Sequence, residues 1–314
     1  MPTLTGVFPS GHRRKGSGQD LQSLPAIEGA VMLSRKRGGD WFVDSVNGSD
    51  TTKSGSSWGD AFATLAKAVA AAAVDDRIHL APLHAETIAS AGGIALSKAG
   101  LSVIGYGNGA RRPTFTLSAT DSTITIAGAN VLLANVRITC SIDEVVTAVS
   151  VTGANVTLDA VDYVETSTYQ LIKFLLTTNA ADGITVRNCY HVQATAAASA
   201  QLWLQLVGVD DALIEDNVFI LALQNGATSA TINGSTALVR AVIRRNTIVQ
   251  TGGTTQVSAI LLVSTSTGFV HDNRVAAAVT TLAGTVALAS AYGANNLTSH
   301  TANKSGILDP VADA

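Results

Sequence analysis

Repetition constrains this chain more than any other feature. The segments "GANVLLANVRI", "GANVTLDAVDY", "DGITVRNCYH", "DALIEDNVFI", "RAVIRRNTIV" and "TGFVHDNRVA" superimpose. Anchored two residues past the last shared aliphatic, they give Asn135, Ala160, Asn188, Asp216, Arg245 and Asp272, separated by 25, 28, 28, 29 and 27 residues. "RIHLAP" and "LSVIGYG" carry the series back to Pro82 and Gly105, and "YGANNLT" carries it forward to Asn295. A repeat of this length is one supersecondary unit that cannot bury its own apolar face and must stack on its neighbours.

Two positions before the anchors stand Leu80, Val103, Leu133, Leu158, Val186, Ile214, Ile243 and Val270, an unbroken aliphatic column. Four before stand Ile78, Leu101, Val131, Val156 and Ile184, giving way to Ala212, Ala241 and Gly268. That alternation is the pattern of a strand with one face inside. A further column, Asn188, Asn217, Asn246, Asn273 and Asn296, follows the anchors. Asparagine adopts the left-handed backbone of a sharp turn, and stacked amides bond along a ladder, so these residues read as structural. With charged residues at 14% and aromatics at 5%, the composition suits repetitive β structure; a helical bundle would want more Leu, Glu and Lys.

A period of 25 to 29 residues, several short strands per repeat and Asn at the turns resembles the right-handed parallel β-helix of the pectate-lyase-like superfamily. The fold expected is therefore all-β: about nine coils, about 40 to 45 Å long at the usual spacing of stacked strands, with a short N-terminal capping α-helix and an extended N-terminal arm. The open end of such a rod exposes core and unpaired backbone. "WGDAFATLAKAVAAAA" supplies the cover, with Phe62, Leu65, Ala66, Val69 and Ala73 on one helical face and Asp60 as N-cap. The layout expected is an arm over 1–40, a first strand (Trp41 to Val46) and capping helix over 41–76, the β-helix over 77–300 and a tail over 301–314.

Within "WFVDSVNGSD", Asp44, Asn47, Gly48 and Asp50 invite a calcium reading. Counted from Asp44, however, Val46 takes the third place of an EF-hand loop, Ser49 the sixth and Gly55 the twelfth, where an acid, a glycine and a glutamate are needed. The stretch reads instead as the junction between arm and rod, with an Asn-Gly turn leading to the helix. The six histidines, His12, His79, His84, His191, His271 and His300, have no metal-ligand spacing, so neither metal nor cofactor is expected. Cys140 and Cys189 are too few for a disulfide framework.

The resemblance turns attention to acids, because parallel β-helices of this kind host lyases, glycosidases and esterases. Just before the anchors lie Ala134, Asp159, Arg187, Glu215, Arg244 and His271, pointing outward with charges that alternate from Asp159 to Arg244, as a ladder of exposed ion pairs would. Asp143 with Glu144, Asp210 with Asp211, and above all Asp162 with Glu165 remain as carboxylate pairs for glycoside chemistry. Motifs give them no support. The polygalacturonase set is missing apart from the isolated Asp210-Asp211, and "RRPTFT" at Arg111 lacks the second arginine of the pectate-lyase motif.

Surfaces point to partners. "YQLIKFLLT", "AQLWLQLVG" and "SAILLVST" are apolar on both faces, so Ile172, Phe174, Trp203, Ile260 and Leu262 are expected to stack into an outer apolar stripe that a monomer would not leave bare. Homotrimers are typical of the β-helices this chain resembles, and the stripe is read as the trimer interface. Arg13, Arg14, Lys15, Arg35, Lys36 and Arg37 form two basic clusters in an arm without apolar period. They are read as the partner-binding residues. A net charge of −3 gives no reason to expect a specific nucleic-acid partner. No secretory h-region and no run of about 18 apolar residues is present, so synthesis in a host cytoplasm and no membrane span are expected.

The run "FVDSVNGSD" to "SGSSWGDAFATLAKAV", followed by "RIHLAP" and "VIGYGNGARRPTFTL", is similar to the start of many β-helix proteins of bacteriophages and bacteria, over roughly residues 41–297. It implies a virion protein. The first expectation is a non-enzymatic, trimeric capsid decoration or cement protein, its arm laid on the major capsid protein. The alternative is a tail fibre or tailspike that binds host surface polysaccharide, with or without cleaving it.

Overall fold

The computed structural model describes residues 38–224, 229–251 and 258–277 and the segments 286–288, 292–294, 296–300 and 303–308. The two basic clusters of the arm lie outside the described residues. From Gly39 on, the chain forms one compact unit. It is an all-β, right-handed parallel β-solenoid, with one α-helix among the described residues.

Register explains the repeat. Val103, Leu133, Leu158, Val186, Ile214, Ile243 and Val270 lie opposite one another on successive coils, and none is more than 1% exposed. The first coil corrects the alignment by two residues: Ile78 faces Val103, and Leu80 faces Gly105. A slip of two keeps inward side chains inward, so periodicity is blind to it. The next inward place, expected for Ile78, falls to Asp76. Its carboxylate accepts from Gly39 N at 2.5 Å, Trp41 Nε1 at 2.8 Å and Ala73 N at 2.7 Å, tying the first strand to the end of the helix.

Sharp left-handed turns bracket the first strand of each coil. Before it stand Gly100, Asn130, Asn155, Gly183, Asp211 and Arg240, with φ between 55° and 71°. After it stand the anchors Asn135, Ala160, Asn188, Asp216, Arg245 and Asp272, with φ between 53° and 56°. The anchors, not the asparagines that follow them, therefore make the turn. Asn188 belongs with the anchors, and Cys189 stands at the head of the asparagine column.

That column is a buried hydrogen-bond ladder. Asn217 Nδ2 donates to Asn246 Oδ1, Asn246 Nδ2 to Asn273 Oδ1 and Asn273 Nδ2 to Asn296 Oδ1, at 2.9 to 3.0 Å. The second proton of each amide goes to the carbonyl of Val186, Ile214, Ile243 or Val270. Each Oδ1 also accepts the backbone N–H one coil back, from Cys189, Asn217, Asn246 or Asn273. The bends where the sheet ladder breaks are thus saturated.

Coil count is lower than nine. The face that closes each turn has eight parallel strands, Ile94–Leu96, Ile124–Ile126, Val149–Val151, Leu175–Thr177, Leu202–Leu206, Ala230–Gly234, Ser258–Leu262 and Val286–Leu288. They enclose about seven turns, or about 34 Å at the spacing of stacked strands. Anchors count strands of one face only, and a turn closes only when every face has contributed.

Both ends are covered. The helix Leu65–Ala71 buries Leu65, Ala68 and Val69 against the first strands of both sheets. Ala66 is exposed, and the N-cap is Thr64, whose Oγ1 accepts from Lys67 N, not Asp60. The helix starts five residues after Asp60, which instead holds Ser54 and Ser56 around the short turn Trp58–Asp60. Asp50 accepts from Ala63 N and Thr64 Oγ1, and Asp44 caps Val46 and Asn47. Both acids of the calcium-like stretch are spent on backbone, amide and hydroxyl groups. The first strand is Asp40–Val43, and Gly48 donates its N–H to Asp44 O where a Cβ would meet Phe62 O at 2.1 Å. At the far end, Asn303–Leu308, within the span expected to be a tail, folds back antiparallel on Leu297–His300 and pairs its edge.

Candidate functional site

The carboxylates singled out for chemistry are struts. Asp162 sits on the outward face of Thr157–Val164, opposite Arg137. Its Oδ2 forms an ion pair with Arg112, and its Oδ1 accepts from Tyr190 N at 3.1 Å. Burial raises its pKa, against the pull of the Arg112 guanidinium and the Tyr190 N–H. A raised carboxyl is suited to donate a proton, but here both oxygens are occupied by the protein itself. Glu165 Oε2 accepts from Ala194 N and Thr195 N, at 3.0 Å for the latter, fastening one loop to the next. Glu144 likewise accepts from Ala198 N at 2.6 Å, and Asp211 and Asp210 both face Arg240.

The outward charge ladder has the order expected: Asp159, Arg187, Glu215, Arg244 and His271 are consecutive register partners. Arg187 reaches Asp159 at 2.9 Å, and Glu215 takes Arg244 at 2.8 Å and Arg245 at 2.6 Å. A bidentate contact of Arg245 with Asp216 joins the adjacent column, and its hydrogen bonds hold the Asp216 carboxyl below the ordinary range. An open cleft of about 380 Å³ beside it is lined by Arg245, Asn246, Thr247, Asp272 and Arg274. Arg245 is committed to its two acids and Asn246 to the ladder, so the cleft presents no convergent set of reactive groups.

The apolar stripe is corrected. Phe174, Trp203 and Ile260 are fully buried and Leu262 is nearly so, while Ile172 is half-buried. At these places the chain turns a corner, so two successive residues, Phe174 and Leu175 or Trp203 and Leu204, both point inward. A run apolar at every position is a bent inner wall here, not a flat strand with an apolar exterior.

Trp203 serves an interior polar centre that the sequence did not announce. His191, fully buried, donates through Nε2 to Val161 O at 2.9 Å and accepts at Nδ1 from Trp203 Nε1 at 2.8 Å. Phe174 lies 3.9 Å from its ring and Phe219 5.2 Å. Burial pushes its pKa down to about 3, against the bond to Val161 O. Nearby, Gln193 and Gln201 satisfy both backbone groups of Leu171 and the N–H groups of Ala197 and Gln224. The one legible signal was position: His191 and Gln193 stand at inward places of a strand. Cys140 and Cys189 are free and buried, and burial pushes each thiol up to about 12, so neither is poised as a nucleophile.

Among the described residues no three His, Cys, Asp or Glu side chains converge as metal ligands, and no helix is long and apolar enough to cross a membrane. Compared with known proteins, the chain matches no family model, no curated protein and no solved structure.

Proposed function

We propose that this chain is a non-enzymatic structural protein of a bacteriophage virion, a homotrimeric decoration protein held on the major capsid protein by its basic N-terminal arm. One observation carries the reading: Asp162 and Glu165 are each bonded to neighbouring coils rather than presented to solvent. A rod whose charges are spent on its own ladders, with a helix over one end and an antiparallel strand on the last edge, suits a load-bearing element. A face other than the stripe is proposed for self-association. Val164, Val192, Ile220 and Val249 are register partners on the outside and half-buried, with Val218 in the adjacent outward column. That aliphatic column is the surface proposed for the trimer.

Removal of residues 1–37 tests the reading. Gly39 and Asp40 bond to Asp76 and His79, so the cut spares the rod. The truncated protein is expected to keep its melting temperature and oligomeric state and to lose binding to phage particles. Undiminished particle binding, or release of oligosaccharides from host capsule or lipopolysaccharide that Asp162→Asn abolishes, overturns it.

A further inference from the structure

Four rings from four separate segments meet on the outside of the first coils. Phe42 and His79 are register partners and stack at 5.0 Å; Trp58 packs edge-on against Phe42 at 4.9 Å; Tyr106 touches Trp58 at 5.8 Å and His79 at 5.7 Å. Trp58 is 42% exposed and Tyr106 41%. Further along the same outward column the side chains are Ile104, Ala134 and then the charge ladder, so the aromatics are confined to this end.

A polar relay fixes the rings. His79 Nε2 lies 2.9 Å from Asp40 Oδ1, and His79 Nδ1 lies 2.9 Å from Tyr106 Oη. An ionised carboxylate only accepts, so Nε2 carries the proton, and in the neutral ring Nδ1 accepts from the Tyr106 O–H. Tyr106 Oη therefore offers lone pairs outward, and Asp40, 53% exposed, has a second oxygen in solvent. Trp58 is held as firmly. Gly55 N donates to Asp60 O, Phe42 N donates to Gly55 O, and at Gly55, with φ of 78°, an added Cβ would meet the Phe62 ring at 2.3 Å.

We propose that this patch is a binding site for a neutral pyranose ring of a glycan. Sugars pair an apolar C–H face with a rim of hydroxyl donors; the patch pairs aromatic faces with the acceptors Asp40 Oδ2 and Tyr106 Oη. Its size argues against a protein. Four aromatic side chains, each showing less than half its surface, offer about 300 Å², far short of the roughly 800 Å² per partner of a standard interface. Its surround is polar, with Arg77 the register partner of Asp40 and with Asp60 holding Ser54 and Ser56 beside Trp58, and two carboxylates against one guanidinium disfavour acidic sugars. Rings already immobilised lose little entropy on binding.

Titration of the full chain with cellohexaose, chitohexaose, maltohexaose and laminarihexaose, read by tryptophan emission and by calorimetry, tests the site. Trp203 is buried and Trp41 is bonded to Asp76, so Trp58 dominates the optical change. At least one oligosaccharide is expected to saturate with a Kd of about 0.1 to 1 mM. Trp58→Ala should abolish the calorimetric signal, and Tyr106→Phe, which keeps the ring and removes the hydroxyl, should weaken it about tenfold. Both variants are checked for an unchanged melting temperature. Three results overturn the proposal: no saturation with any of the four sugars up to about 10 mM, binding indifferent to both substitutions, or conversion of an oligomer to monomers by Trp58→Ala, which would make the patch a contact between copies.

Discussion

His191 makes the stability of this rod depend on pH in a direction that follows from its surroundings. The ring is sealed among Phe174, Phe219 and Trp203 and touches no carboxylate; its partners are a carbonyl that accepts from Nε2 and an indole N–H that donates to Nδ1. A proton added at Nδ1 would confront the Trp203 N–H, so the folded chain holds the ring neutral down to about pH 3, against an ordinary value of 6.5. Because the folded pKa is depressed, the contribution is whole above pH 6.5 and is lost as pH falls, when the unfolded chain takes up a proton that the folded chain refuses. The slope is about 1.4 kcal/mol per pH unit, and the full window is worth roughly 4 to 5 kcal/mol. His191→Gln retains one donor and one acceptor but does not titrate. At pH 7 the variant should be less stable by about 1 to 2 kcal/mol through lost packing, yet the difference should vanish and then reverse between pH 6 and 5. Denaturant midpoints at matched slopes, with the His191 C2–H resonance followed by NMR, provide the assay. Parallel stability curves for the two proteins from pH 7 to 4.5, or a His191 resonance that titrates near 6.5, would refute the reasoning.

Other expectations are of the same kind. Asn246→Ala removes one amide from the middle of the ladder, orphans the buried N–H of Asn217 and leaves a void, so it should cost about 3 to 4 kcal/mol in a denaturant titration. Gly48→Ala should cost at least as much as a buried-core truncation, about 3 kcal/mol, because both the Phe62 and the Asp44 carbonyl occupy the space of its Cβ; calorimetry reads this as a lowered Tm. Asp162→Asn keeps the Tyr190 contact and loses the pair with Arg112; because burial outweighs that pair and raises the Asp162 pKa, the neutral amide should cost no more than about 1 kcal/mol in a denaturant titration. Ile220→Glu, at the centre of the outward aliphatic column, should give monomers in sedimentation equilibrium without a fall in Tm; an unchanged oligomer would remove this face from the proposed trimer.

The repeat was legible because stacking copies one coil's inward positions onto the next. Val103 to Val270 are written into the chain as a column, and so are the alternating charges from Asp159 to Arg244. Four features were not. Registers that differ by two residues satisfy the same periodicity, which hid the place of Ile78 and Asp76. Corners present two successive residues inward, so the Phe174 and Trp203 segments mimic strands apolar on both faces. The asparagine ladder and the left-handed turn sit one position apart, and both accept Asn; only backbone angles separate Asn188, at φ of 56°, from the amides that stack after it. Rings such as Phe42, Trp58 and Tyr106 come together from segments with no common spacing, and no periodic reading could assemble them.

Parallel stacking also changes what a carboxylate on this fold signifies. Each outward residue has a neighbour about 4.8 Å away above and below, so a charge is never judged alone: it is neutralised by the coils beside it or it repels them. Glu215 is flanked in register by Arg187 and Arg244, and Asp162 by Arg137 on the preceding coil, with Arg112 closing over it. Two acids near each other in sequence are thus weak grounds for chemistry on such a rod. The acid that invites a ligand is the one whose column leaves an oxygen over. By that criterion Asp40, on the first strand, bonded through a single oxygen to His79 and with its side chain 53% exposed, is a better candidate for contact with another molecule than Asp162, and exposure sets it above Glu165, whose unpartnered Oε1 is buried.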